Sequence, residues 1–312
     1  MADLPVRCNL RQLRIQAKEL LKAARDGNAE ARARVEAVSD RLVLASAQLA
    51  VAREYGFPSW SRLKVEVERR RLLNERDLPG LQALFAEHPE LTVERMEHWC
   101  DHCLGATPLG YIAMLRFDAA RLELPPVTDG TEEVARMLIN GGARIEGDPG
   151  DTETPLMTAA SYGDVDVARV LIEAGADLDA KAAANAGGVP GGTALLHAAV
   201  FGFTDVVDLL AASGAHIDGI VEAAAVGNID DYLTDETPLG HRVRALTMAA
   251  GHDRVEVIRQ LLAAGTPVDA VDAWGYTALR EATENGRDAA VAALLAAGAS
   301  LVREDGGGGP PA

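Results

Sequence analysis

Apolar residues recur along this chain at steps of three and four, a spacing that predicts helices rather than strands. Near the start, Leu10, Leu13, Ala17, Leu20 and Ala24 form one such series, and Val35, Val38, Leu42, Ala45, Leu49 and Ala52 form another. Gly56 and Pro58 break the pattern before a further helix. The pattern then becomes self-similar. "TPLMTAASYGDVDVARVLIEAGADLDA" from Thr154, "TALLHAAVFGFTDVVDLLAASGAHIDG" from Thr193 and "TALREATENGRDAAVAALLAAGASLV" from Thr277 share one order. Each runs Thr-x-Leu, a small-residue pair, a turn glycine, an apolar helix with a Leu pair or Leu-Ile, a closing glycine and a polar hairpin. The predicted unit is helix, turn, helix, fingertip.

Local chemistry supports that unit. Thr caps a first helix, Pro at the first helical position has no amide to leave unpaired, and the closing Gly takes the left-handed conformation that ends the second helix. Alanine pairs let neighbouring helices approach closely. Leu171, Leu209, Leu210, Leu261, Leu262, Leu294 and Leu295 are expected to build a core that no single unit could bury. These residues resemble the ankyrin repeat, whose period is about 33 and whose signature contains T-P-L-H-x-A. The resemblance implies an all-α ankyrin-repeat solenoid. "AREYGFPSWSRLK" resembles a segment found ahead of the repeats in some bacterial ankyrin proteins.

Irregular copies are part of the pattern. The copy from Thr107 ends its second helix at Gly142 and carries an insertion at 116–129, and a second insertion at 179–192 stretches the Thr154-to-Thr193 step to 39 residues. A truncated copy starts at Ile220 and is followed by a longer first helix, Pro238 to Gly251. The expected organisation is a helical N-terminal cap over 1–76, with Phe57 and Trp60 covering the apolar end of the solenoid, then repeats over 77–303 and a disordered tail over 304–312.

Charge divides the chain. Residues 1–76 carry 16 Lys/Arg against 10 Asp/Glu, net +6, whereas residues 77–312 carry 14 against 37, net -23. The acidic part disfavours nucleic acid. No run of about 18 apolar residues predicts a membrane span, and three cysteines suit a reducing, cytoplasmic setting better than a disulfide framework.

The densest chemistry is "HWCDHC" at 98–103. His98, Cys100, His102 and Cys103 are zinc-ligand types, yet four ligands within six residues strain a tetrahedron and no second Cys/His arm lies near. Placed on the repeat, His102 to Ala106 fall in the fingertip before Thr107. An enzyme reading would use His98, Asp101, His102, Tyr111 and Arg116 for acid-base work on a small molecule. A sensor reading would use the Cys100 and Cys103 thiols. No cofactor motif appears.

The resemblance also places recognition residues, in the fingertips and just before each turn glycine. They are Cys103, Leu104, Met114, Tyr162, Phe201, Trp274 and Tyr276, with His241 and His252 nearly on one side of the lengthened helix, about 16 Å apart by helical rise. Of 13 aromatic residues, Tyr162, Phe201, Trp274 and Tyr276 fall at such positions, so a concave, partly aromatic groove is expected. The two insertions would narrow that groove. His197 and His102 would join the histidines lining it. Non-catalytic recognition of a protein, with a basic segment the best fit to the acidic rim, is the expected function. A small molecule is the other ligand class.

Overall fold

A computed structural model describes Leu4, residues 8–96 and residues 106–300. The chain divides into two compact units, Met1–Asp148 and Pro149–Ala312. Among the described residues the regular secondary structure is all helical, apart from the isolated bridges Met96 to Ala106 and Val271 to Thr277.

The first unit contains α1 (Leu10–Arg25), α2 (Ala29–Glu36), α3 (Leu44–Glu54), α4 (Trp60–Glu75), α5 (Leu78–Glu87), a short 3-10 turn (Pro89–Thr92), α6 (Pro108–Asp118) and α7 (Thr131–Asn140). Polar caps set four starts: Asn9, Asn28, Ser59 and Asp77 accept backbone N–H bonds from Gln12, Ala31, Arg62 and Gly80 at 2.8–3.1 Å. The series Leu13, Ala17, Leu20 and Ala24 is buried as its spacing predicts, against α2 and α3. The second series does not run as one helix. The chain leaves helix after Glu36 and re-enters at Leu44, leaving Val38 and Leu42 half-buried in the connection.

Inside this unit the N-terminal helices are tied to the first hairpin, α6–α7. Tyr111 on α6 is 1% exposed and donates to Asn74 Oδ1 at 2.6 Å. The fully buried Arg69 donates to the carbonyls of Leu91 at 2.9 Å and Glu94 at 2.7 Å, and to Glu66 Oε1 at 2.6 Å. The 116–129 insertion folds back onto this unit, burying Ala119, Leu122 and Val127.

The second unit contains α8 (Pro155–Tyr162), α9 (Val165–Glu173), α10 (Ala194–Val200), α11 (Thr204–Ala212), α12 (Ile220–Val226), α13 (Leu239–Gly251), α14 (Val255–Ala263), α15 (Ala278–Glu284) and α16 (Asp288–Ala296). Thr154, Thr193 and Thr277 cap α8, α10 and α15 as the repeated Thr predicts, accepting from the third residue onward at 3.2–3.3 Å. First helices stack in the order α8, α10, α12, α13, α15, while α9 packs on α11 and α14 on α16. Alanine pairs 159–160, 198–199, 224–225 and 249–250 are at most 2% exposed, which allows this close approach.

Only part of the expected leucine core faces inward. Leu171, Leu210, Leu261 and Leu294 are buried, Leu209 and Leu262 are half-exposed, and Leu295 is 40% exposed. Adjacent helical residues point about 100° apart, so one leucine of each pair meets the neighbouring hairpin and the other turns toward solvent.

Gly163 shows how tightly the turns are built. It is left-handed (φ 71°), and a Cβ there would overlap the Phe203 ring of the next turn. Gly163→Ala is expected to cost about 2–4 kcal/mol, backbone strain plus overpacking. Gly175→Ala, left-handed but facing open space, is expected to cost about 1 kcal/mol. Urea midpoints of the two variants check the difference.

The α12 copy lacks its second helix; residues 227–238 take the place of one. Arg254 crosses the gap, donating to the Ala225 carbonyl at 2.8 Å and pairing with Asp208 on α11. Gln260 on α14 reaches Asp230 at 3.0 Å.

Candidate binding surface

The best-built exposed ring in the second unit is Trp274, at the fingertip between α14 and α15. "DAWGY" folds as a tight hairpin because Asp272 organises it. Its Oδ1 accepts the N–H groups of Trp274 and Tyr276, each at 3.0 Å, and its backbone N–H donates to the Tyr276 carbonyl at 2.9 Å. Its Oδ2 accepts from Arg244 at 2.7 Å. That guanidinium lies 4.2 Å from the Trp274 ring centroid, and Arg280 sits 4.3 Å from the Tyr276 ring in the same way. Each stack contributes about 0.5–1 kcal/mol and limits ring motion. Trp274 nevertheless remains 57% exposed, beside Val271 at 48%. The ring is thus both fixed in orientation and largely open to solvent.

A second group lies where α8 and α10 end. Phe201 is 44% exposed and its ring sits 6.5 Å from His197. Tyr162 is half-buried at the end of α8. His197 is fully buried, and its Nδ1 meets Ser161 Oγ at 2.7 Å. Burial pushes its pKa down, opposed by the nearby Glu153 carboxylate. The 179–192 insertion covers this region. Gly188 donates to Glu153 Oε1 at 2.9 Å, Ala182 bonds the Gly192 carbonyl at 2.9 Å, and Ala183 bonds the Thr152 carbonyl at 2.8 Å.

His241 and His252 do not share an exposed face of α13. His241 is exposed at the start of α13, whereas His252 at its end is 2% exposed. His252 Nε2 lies 2.8 Å from the Ala199 carbonyl, so it carries the proton; Nδ1 then accepts from Thr204 Oγ1 at 2.9 Å. Arg287 donates to that hydroxyl at 3.0 Å, to the Gly202 carbonyl at 2.9 Å and to the Gly251 carbonyl at 2.8 Å. His252 therefore holds turns together instead of facing a ligand. Burial lowers its pKa to about 4, with Arg254 and Arg287 acting in the same direction.

In the first unit, Met114 is 3% exposed, so it packs in the core instead of offering a contact. Tyr111 is likewise a core residue, and half-buried Arg116 reaches Thr131 Oγ1 at 3.3 Å. His98, Cys100, Asp101, His102, Cys103 and Leu104 lie outside the described residues. Among the described residues, no three His, Cys, Asp or Glu side chains gather as a metal site would require. Burial pushes the Cys8 thiol up to about 11, which disfavours its thiolate at neutral pH.

Trp274 and Tyr276 lie in the fingertip hairpin where the repeat pattern puts them, and Asp272, Arg244 and Arg280, which that pattern does not single out, fix them. The usable signal was the Asp-x-x-Gly turn in "DAWGY". Arg244 lies too far along the chain for any local pattern to reveal its partner.

No helix of the described residues is long and apolar enough to cross a membrane. Residues 127–220 match the family model described as ankyrin repeats (3 copies). A search of curated proteins finds no match to the chain.

Proposed function

We propose, from the match of residues 127–220 to ankyrin repeats, that the second unit is a non-catalytic module that captures a protein segment at the Trp274 fingertip. Ankyrin repeats generally mediate protein–protein interaction. The observation that carries the reading is Trp274 itself: 57% exposed, yet fixed by Asp272 and backed by Arg244. A pre-positioned aromatic anchor loses little rotamer freedom on binding, so most of its burial appears as affinity.

Charge suggests the partner. Residues 149–312 carry 9 Lys/Arg against 24 Asp/Glu, net -15. A segment presenting an apolar side chain among lysines and arginines would gain long-range attraction and then bury its apolar group on Trp274. Tyr276 and Val271 extend the contact along the hairpin. Phe201 and Tyr162, where α10 and α8 end, and His241, at the start of α13, are proposed as secondary contacts.

A photo-crosslinking amino acid at Val271 tests this. One dominant protein adduct is expected, attached through a Lys/Arg-rich peptide and lost in the Trp274→Ala background. Adducts that form only with the crosslinker moved to Leu295, 40% exposed on α16, would place the contact on the second-helix side and defeat the assignment.

A further inference from the structure

A second surface, of opposite sign, lies on α1. Arg11, Arg14, Lys18, Lys22 and Arg25 follow one another at steps of three and four, so they form a single row along the helix, and all are exposed. Arg25 bonds the Leu42 carbonyl at 2.8 Å. Arg11, Arg14, Lys18 and Lys22 form no ion pair with any acid among the described residues, although Glu19 and Asp26 stand close in sequence. Elsewhere this unit pairs its arginines freely, as Arg32 does with Glu36, Arg34 with Glu54 and Arg71 with Glu68.

Apolar surface accompanies the row. Ile15 is 46% exposed and borders a hollow of about 200 Å³ lined also by Gln12, Gln16, Glu19 and Tyr55. At the other end of the helix, next to Leu42, Val43 and Leu44 are 44% and 37% exposed. Arg41 beside them is exposed too.

We propose that this face of α1 docks an acidic segment of a partner protein, its carboxylates along the basic row and one apolar side chain in the hollow at Ile15. The surface is independent of the Trp274 fingertip, and the proposal goes beyond the function assigned to the second unit. Three observations select a finite acidic segment over an extended polyanion. The row spans about 21 Å, a length over which duplex DNA presents about twelve charges. Residues 1–148 carry 21 Lys/Arg against 23 Asp/Glu, so beyond the five basic residues of the row the unit is net -7 and would repel a polyanion that continued past the helix. The apolar side of α1, Leu13, Ala17, Leu20, Leu21 and Ala24, is packed inside the unit and cannot enter a bilayer.

Fluorescence anisotropy of the full chain with a labelled oligoglutamate peptide carrying one central leucine tests the proposal. Binding is expected at low salt and should weaken as salt rises. The triple variant Arg14→Glu, Lys18→Glu, Lys22→Glu should lose at least about ten-fold in affinity, and Ile15→Ser about three- to ten-fold. Circular dichroism should show unchanged helix content in both variants, since all four positions are on the solvent side. No binding of the peptide, equal binding by the charge-reversed variant, or tighter binding of phosphatidylserine vesicles or duplex DNA at the same salt would each overturn it.

Discussion

Replacing Arg69 by methionine is expected to lower the stability of the first unit by about 3–5 kcal/mol. Arg69 is fully buried, and Glu66 beside it is 2% exposed. Its guanidinium serves Glu66 and the carbonyls of Leu91 and Glu94. Methionine fills the volume but takes the Arg69 donors from the buried Glu66 carboxylate and leaves both carbonyls short of a donor. Adding Glu66→Leu should recover part of the loss by removing the stranded charge. Calorimetry, with hydrogen exchange to localise the change to α4, checks both variants. A single variant that melts like the parent would show that this network is not structural.

The second unit is expected to lose about 3 kcal/mol of stability through His252 as pH falls from 6.5 to 4. The folded pKa is depressed from 6.5 to about 4, so between those values the unfolded chain binds the extra proton and the native state does not. Protonation in the native fold would aim a second donor at Thr204 Oγ1, which already accepts from Arg287. The full contribution is present above pH 6.5 and is gone below 4. Glu222 and Glu281, whose pKa values are raised by burial, act in the opposite sense at the acid end. The comparison that isolates His252 is therefore a His252→Gln variant, less stable at neutral pH but with a flatter profile across the window. Parallel profiles for parent and variant would remove His252 from the account.

What the sequence revealed was local. The threonine caps, the alanine pairs and the alternation of first and second helices rest on interactions within a few residues, and they were readable at Thr154, Thr193 and Thr277. The break at 37–43 was not, because no glycine or proline marks it and the apolar spacing continues across it. His252 and Met114 show a second limit. Periodicity says which residues share a helix face, but whether that face meets solvent or a neighbouring hairpin depends on contacts distant in sequence. His252 meets Ala199 and Thr204 because the α12 copy lacks a second helix and the flanking turns close up, with Arg254 and Arg287 bonded across them. Aromatic residues at fingertips were visible for the opposite reason: a hairpin of this length, with Asp272 and Gly275 at its turn, leaves its ring nowhere to be buried.

The central claim is that the Trp274 fingertip is a rigid, pre-positioned anchor for a protein segment. Isothermal titration of the captured segment against the parent chain and Trp274→Ala measures it most directly. A loss of about thirty-fold or more, the size expected of an interface hot spot, with an unchanged melting temperature, is the predicted result. Equal affinity for the two proteins would contradict the account.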